Sequence, residues 1–489
     1  MTVFSRGIQT NPPDPPPATL PAVESRGREG RRPSASRAIA KLASLAAPPA
    51  VTLLVTVNLI VVTSFLLSYG RHGVGFGPFR IDLDVYRIGG RMWLRHGDLY
   101  GALPPTSNGV RLLFTYPPVA AVLLSPLSLV PMAVAGTMLS LATIALTALV
   151  LRLFLRSAAG PGADSWWTIG WLLPVALLLE PMRHTLGYGQ VNVALMALVS
   201  ADCLPAKVRW PRGVLVGVAA AVKLTPAAFV LFFVCRGDRR AAATAAVTFA
   251  ACGAAGFPLA WHDSVRYWTS VVFQTGRPGS AAGAANQSIQ AVLARAGLDP
   301  HSPAELAAWL ALSVIAVMLA WYGMRQAVAR SARAWALSLN ALAALLISPV
   351  SWSHHWVWAE PALLVLAIDG LRDRRRGLLA GAAAGAAVLA AAPQWWFPTG
   401  GSRETHWAAW QQAIGSSYVI LAAVILLLSA RPLAQAAGQA RRGRSRPPPS
   451  PGSPPRRWPA TGHHRPFVLK RIFNERAVVI SCPSPNPDR

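Results

Sequence analysis

Apolar residues run in long blocks along this chain, separated by short polar or basic stretches. The blocks fall near residues 48–68, 118–155, 166–180, 191–206, 241–260, 306–326, 334–350, 356–370, 377–393 and 414–430. They do not alternate apolar with polar positions, so they are not the strands of a transmembrane barrel. A helix needs ~20 residues to cross a bilayer, and the shorter blocks reach that length only by extending into their flanks. The pattern predicts an all-α polytopic membrane protein, a multi-helix bundle with about ten full crossings and external loops.

Residues 213–235 fit less simply. They are long enough for one crossing, yet basic clusters flank both ends, and Lys223-Leu224-Thr225-Pro226 lies midway. Proline interrupts a helix there, and a lysine stranded in hydrocarbon costs ~3 kcal/mol or more. Two short helices that dip in and return, a broken helical hairpin, satisfy both facts. Such backbone is tolerated only where it is buried in protein or lines a wet cavity. Pro126 and Pro131 mark a similar break.

Composition agrees with a membrane class: 53% of the 489 residues are hydrophobic and 13% are charged. An ordinary soluble domain is excluded. The formal net charge is +27, and about half of that excess sits in the two ends. Residues 1–45 and 431–489 are basic and rich in proline, and we expect both to be disordered cytoplasmic segments flanking a transmembrane domain at 46–430. Their charge suits anionic membrane lipids. No aromatic platform accompanies it, so no nucleic-acid partner is expected. The four cysteines have no CxxC spacing, which points to neither a zinc site nor a disulfide framework. The N-terminal stretch does not read as a cleavable signal.

Basic clusters set the expected orientation. Arg152 and Arg156, Lys207 to Arg212, Arg236 to Arg240, Arg325 to Arg333, and Arg372 to Arg376 should be cytoplasmic. Both termini are then inside the plasma membrane. The stretch after the first span, with 181–190, 261–305, 351–355 and 394–413, lies outside.

The unusual polar residues gather on or near that outer side. They are Asp82, Asp84, Tyr86, Arg87, Arg91, Tyr116, Arg183, His184, Tyr188, Gln190, Asn192, Lys223, His354, His355 and Glu360. A single water-facing cavity could collect them, which suggests a substrate with an apolar tail and a polar head. Asp82 and Asp84 flank Leu83 in what reads as an extended loop, where positions i and i+2 share a side. Two carboxylates so placed could hold a divalent metal, or one could act as a general base while the other orients it or pairs with Arg87 or Arg91. Lys223 offers a compact positive charge for a phosphate. His354 and His355 project about 100° apart on a helix, so a hydrogen bond to a substrate suits them better than joint metal ligation. Trp352, Trp356 and Trp358 suit a membrane-interface belt or a platform for a sugar ring. Asn286-Gln287-Ser288 fits a glycosylation sequon and reads as an external loop element.

Taken in order, these motifs resemble the polyprenyl-phosphate-mannose-dependent mannosyltransferases of glycosyltransferase family 87. The matching stretches are Asp82 to Arg87, Phe114 to Pro118, Gly189 to Asn192, Lys223 to Pro226, Asn286 to Ser288, and Ser348 to Trp356. The resemblance spans roughly residues 48–430 and implies a GT-C-type membrane fold with its active site on the periplasmic side. It implies a polyprenyl-phosphate mannose donor and a mannosylated glycolipid acceptor, such as lipomannan, lipoarabinomannan or a phosphatidylinositol mannoside. The implied product is an α-(1→2)-linked mannose formed with inversion. Asp82 best matches the family's loop aspartate, with Asp84 as the alternative. Lys223, helped by Arg91, Arg183 or a histidine, would neutralise the departing phosphate. A lipid monophosphate carries less charge than a nucleotide diphosphate, so no metal and no other cofactor is expected. Two rival readings use the same cavity: a lipid or glycolipid transporter, and a transferase with a polyprenyl-phosphate arabinose donor.

Overall fold

Every regular element among the described residues is helical, in a computed structural model that describes residues 48–67, 80–274, 276–277, 279–300 and 302–431. The basic ends, 1–45 and all but the first residue of 431–489, lie outside the described residues. One isolated antiparallel bridge pairs Asn286 with Trp352.

In chain order, α1 (Pro48–Leu67) and α2 (Ile81–Leu94) come first. Then follow α3 (Pro118–Leu124), a 3-10 turn at Ser125–Ser128, α4 (Met132–Ala159), α5 (Trp166–Leu178), α6 (Glu180–Tyr188) and α7 (Asn192–Cys203). The middle of the chain forms α8 (Val214–Val222), a 3-10 turn at Thr225–Phe229, α9 (Val230–Cys235), α10 (Arg239–Leu259) and α11 (Trp261–Thr269). After α12 (Ile289–Arg295), α13 (Pro303–Ala329) and α14 (Arg333–Ile347) comes a 3-10 turn at Ser353–Trp358. The last helices are α15 (Ala359–Asp373), α16 (Arg376–Ala391), α17 (Ala409–Gly415) and α18 (Ser417–Ser429).

Among the described residues, four stretches are long and apolar enough to cross a membrane: α4, α10, α13 and Arg376–Trp395. A fifth is added if α17 and α18, bent by 70° between them, count as one span. This is fewer than the crossings read from the apolar blocks. The reason is visible in the chain. Pro117, Pro118, Pro126 and Pro131 cut the 118–155 block into α3, a turn and α4, and Pro181 separates α5 from the helix that follows. The other apolar blocks form helices of 10–17 residues, among them α5, α7 and α14.

The break expected within 213–235 is present. Helix α8 stops at Lys223, whose backbone is extended at φ −147° and ψ 131°. Pro226 sits in the first turn of the 3-10 segment that follows, where its missing N–H leaves no carbonyl unpaired. Helix α8 packs closely on α10, α13 on α14, and α15 on α16. Fully buried Tyr86, Phe114, Phe232, Phe233, Trp356 and Tyr418 anchor the core.

Asp82 to Arg87 is not an extended loop but the start of α2. The two acids occupy its first turn and Arg91 its last, which matches the helix dipole at both ends. On a helix, positions i and i+2 point about 200° apart. Asp82 and Asp84 therefore face different surroundings. Gly90 lets α2 settle on the following turn, since a Cβ there would lie 2.7 Å from the Ser125 Cα. Gly189 ends α6 at φ +70°, and a Cβ there would lie 2.7 Å from the Leu83 Cβ. That close approach sets Gln190 beside α2.

The Asn286–Ser288 stretch is not an exposed loop. All three residues are 0% exposed, so the sequon is closed to a glycan. Asn286 Oδ1 accepts the Ser351 N–H at 2.9 Å, while its Nδ2 donates to the Ala281 carbonyl at 3.0 Å. Gln287 donates to the Gly415 carbonyl at 2.8 Å, and Ser288 caps α12. Together they clamp the 348–352 segment in place. Asn286→Ala should lower stability by about 1–3 kcal/mol, because it strands a buried N–H. Thermal unfolding in detergent checks this, and an unchanged midpoint would show that the clamp is dispensable.

Candidate active site

Helix α2 brings Asp82 to the wall of a cavity of about 420 Å³. The break after α8 brings Lys223 to the same cavity. The C-terminal end of α6 adds Tyr188 and Gln190, and the Ser348–His355 segment adds Trp352, His354 and His355. Tyr116 contributes from the run before α3. A carboxylate, an ammonium, two imidazoles and an aromatic surface therefore share one hollow.

Asp82 stands at the N-terminal turn of α2. Burial pushes its carboxyl up to about 6, against the opposing pull of a Gln190 hydrogen bond and the Lys223 charge. A carboxylate so placed is a stronger proton acceptor than a solvated one, yet remains ionised at neutral pH. Gln190 is itself fixed from below. Its Oε1 accepts from the Tyr86 hydroxyl at 2.8 Å, and Tyr86 and Tyr116 share a second hydrogen bond of 2.9 Å.

Lys223 has no carboxylate within ion-pairing distance among the described residues. Its Nζ donates to Asn192 Oδ1 at 3.0 Å and lies 3.0 Å from His355 Nε2. It also sits over the Tyr116 ring, 5.6 Å from the centroid. Neutral partners orient the ammonium without cancelling its charge, which suits it to an anion. Asn192 in turn donates to the His354 carbonyl at 2.9 Å, and Thr185 donates to the same oxygen at 3.0 Å. These bonds fix the turn that carries both imidazoles. A smaller pocket of about 50 Å³ lies behind Lys223, lined by Asn192, Phe229 and Trp358 among others.

Several residues expected at the site stand elsewhere. Asp84 is buried and accepts the Ser107 N–H at 2.6 Å, with Arg91 3.9 Å from its other oxygen. It ties the 98–111 segment to α2 and does not line the cavity. The pair of carboxylates thus does not converge on a shared metal. Arg87 is buried away from the cavity wall, and Arg183 donates to the Ala390 carbonyl. His184 lies 2.7 Å from the buried Glu180 and stacks on Tyr188, so it supports the wall from behind. Tyr86 and Asn192 act likewise through Gln190 and Lys223. Trp356 packs in the core on Tyr418, and Trp358 packs on Phe229; only Trp352 of the three reaches the cavity. Glu360 is buried beside Glu180's field and off the cavity wall.

The sequence reading missed Tyr267, Gln274 and Arg277, which line the cavity from α11 and the segment after it. That segment carries no motif. Its only signal is an arginine set among glycine and serine.

Three comparisons bear on this constellation. The model of glycosyltransferase family 87 matches residues 114–349. A polyprenol-phosphate-mannose-dependent alpha-(1-2)-phosphatidylinositol mannoside mannosyltransferase of Mycobacterium tuberculosis is 39% identical over 375 residues, which are 73% of this chain and 85% of that protein. The chain belongs to glycosyltransferase family 87. A protein of the same description from Mycolicibacterium smegmatis is 40% identical, over 74% of this chain and 86% of its own length. A phosphatidylinositol pentamannoside mannosyltransferase from Mycobacterium tuberculosis is 36% identical, over 61% of this chain and 68% of its own. No solved structure matches. Membership of family 87 makes the chain a glycosyltransferase and sets the transporter reading aside. The segment matched by the family model holds Tyr116, Gln190, Asn192 and Lys223, while Asp82 precedes it and His354 and His355 follow.

A pH dependence follows from Asp82. Its folded-state value is raised, so the basic form is lost as pH falls through about 6. With Asp82 as the base, kcat/KM of this family 87 enzyme should fall about tenfold per pH unit below that value. Initial rates between pH 4.5 and 8 check this; a flat profile would remove Asp82 from the proton transfer.

Proposed function

We propose that this enzyme moves mannose from polyprenyl-phosphate mannose to a phosphatidylinositol mannoside, forming an α-(1→2) linkage with inversion. The observation that carries this reading is the meeting of Asp82 and Lys223 at one cavity that, among the described residues, has a single carboxylate and an anion-ready ammonium. The names of the relatives support the choice of sugar, donor and acceptor.

The proposed step uses groups already placed. Asp82 takes the proton of the acceptor's 2-hydroxyl. The freed oxygen pair attacks the anomeric carbon, and the bond from that carbon to the phosphate oxygen breaks. The electron pair leaves on the lipid phosphate, whose charge Lys223 meets, with the His355 imidazole beside it. Trp352 offers a flat face for the sugar ring.

The cavity would face the periplasmic side, and both termini the cytoplasm. The clusters at Arg236 to Arg240, Arg325 to Arg333 and Arg372 to Arg376 support that orientation. Further crossings beyond the long spans would come from the shorter apolar helices, extended by flanking residues. The basic ends would lie against anionic lipid.

The test is direct. Purified enzyme in lipid nanodiscs is given labelled polyprenyl-phosphate mannose, labelled polyprenyl-phosphate arabinose, and a phosphatidylinositol mannoside. Linkage analysis should show one added 2-linked mannose and no pentose. Transfer of arabinose in preference, or a different linkage, would contradict the reading.

A further inference from the structure

The cavity holds a second cation that the transfer step does not use. Arg277 lines it from the segment after α11, far along the chain from the break that carries Lys223. Its Nη2 donates to the Tyr100 carbonyl at 2.7 Å and its Nε to the Phe114 carbonyl at 3.2 Å. The guanidinium also lies over the Tyr100 ring, 5.7 Å from the centroid. Two carbonyls and a ring face fix its plane without neutralising it.

The acid whose charge reaches Arg277, Asp98, is already engaged. Asp98 pairs with Arg266 at 2.6 Å and accepts the N–H groups of Tyr100 and Gly101, both at 2.9 Å. No carboxylate pairs with Arg277 among the described residues. An arginine held flat by neutral groups, with donors left over, presents a fork that fits two oxygens of a phosphate.

The donor phosphate has no need of it. Lys223 is already placed to meet that phosphate, held by Asn192 and His355 at 3.0 Å each. Arg277 hangs instead on the carbonyls of Tyr100 and Phe114, so the two cations share no hydrogen-bond partner. The cavity therefore offers two cations held by different parts of the chain, enough for two anions on two substrates.

We propose that Arg277 binds the phosphodiester of an anionic glycolipid acceptor, and so selects acceptors built on a phospholipid over neutral mannosides. This rests on the mannosyltransfer proposed above. Arg277 is a specificity-determining residue, not a catalytic one.

The experiment uses the full chain in nanodiscs of zwitterionic lipid, with polyprenyl-phosphate mannose as donor. Two acceptors are compared: a phosphatidylinositol mannoside and a neutral alkyl mannobioside. For Arg277→Gln, KM for the phosphorylated acceptor should rise about tenfold or more. Its kcat, the donor KM and the neutral acceptor's KM should stay within about twofold of wild type. Arg277→Lys, which keeps the charge but loses the fork, should fall between. Inorganic phosphate and phosphatidylglycerol, added separately, should affect transfer to the neutral acceptor equally in wild type and Arg277→Gln; inhibition that the variant escapes would place a free or bulk-lipid phosphate at Arg277 and overturn the proposal. Equal losses on both acceptors would assign Arg277 to loop structure, and no change on either would leave it without a role; each result overturns the proposal. If wild-type enzyme glycosylates neither acceptor, the mannosyltransfer reading falls first, and this inference with it.

Discussion

Asp82→Asn should reduce kcat by about three orders of magnitude, the middle of the range for loss of a positioned general base. The amide keeps the shape and the Gln190 neighbourhood, but it cannot accept the hydroxyl proton. Stability should not suffer. The folded state holds Asp82 well above its ordinary value, up to about 6. Ionisation therefore opposes folding at neutral pH, and a neutral amide removes that opposition. Asp84→Asn should behave in the opposite way. Its amide oxygen can still receive the Ser107 N–H, so transfer should remain within about tenfold of wild type. The bond weakens with the lost charge, and stability should fall by about 1–2 kcal/mol. Rates and unfolding midpoints of the two variants, measured side by side, separate a base from a strut. Equal losses of activity in both would contradict the assignment.

Lys223→Met should cost about 10²–10³ in kcat, comparable to removing one preorganised donor from a site of developing charge. Methionine matches the length of the apolar stem and leaves no empty volume. It removes only the ammonium that Asn192 and His355 hold at 3.0 Å each. A donor KM that rises with kcat unchanged would mean that Lys223 binds the ground state and transition state alike. A fall in kcat means that it meets charge appearing as the phosphate leaves. Unaltered values of both would remove Lys223 from the reaction.

The membrane class was legible because apolar blocks of this length, without alternation, need lipid around them. The kink at Lys223 was legible because proline and a buried charge coincide there. Crossing number was less legible. Apolar length shows what tolerates lipid, but the prolines at 117, 118, 126 and 131 decide where a helix stops. The convergence of Asp82, Tyr116, Gln190, Lys223, His354 and His355 was also legible, since each is a polar group beside or within apolar sequence. Asp84 misled for a local reason. A two-residue spacing means a shared face only in extended backbone, and the chain between Ile81 and Leu94 is helical. Asn286 misled because a polar side chain can be wholly consumed by backbone partners. Arg277 left almost no trace, because its role depends on carbonyls at residues 100 and 114 that are distant along the chain.

The central claim is that Asp82 and Lys223 address the two ends of one reacting bond. A structure of the enzyme with a non-transferable polyprenyl-phosphate mannose analogue tests it most directly, by locating the phosphate. The account places that phosphate within hydrogen-bonding reach of Lys223 Nζ, with the sugar ring between it and the Asp82 carboxylate. A phosphate bound at Arg277, or a sugar turned away from Asp82, would contradict it.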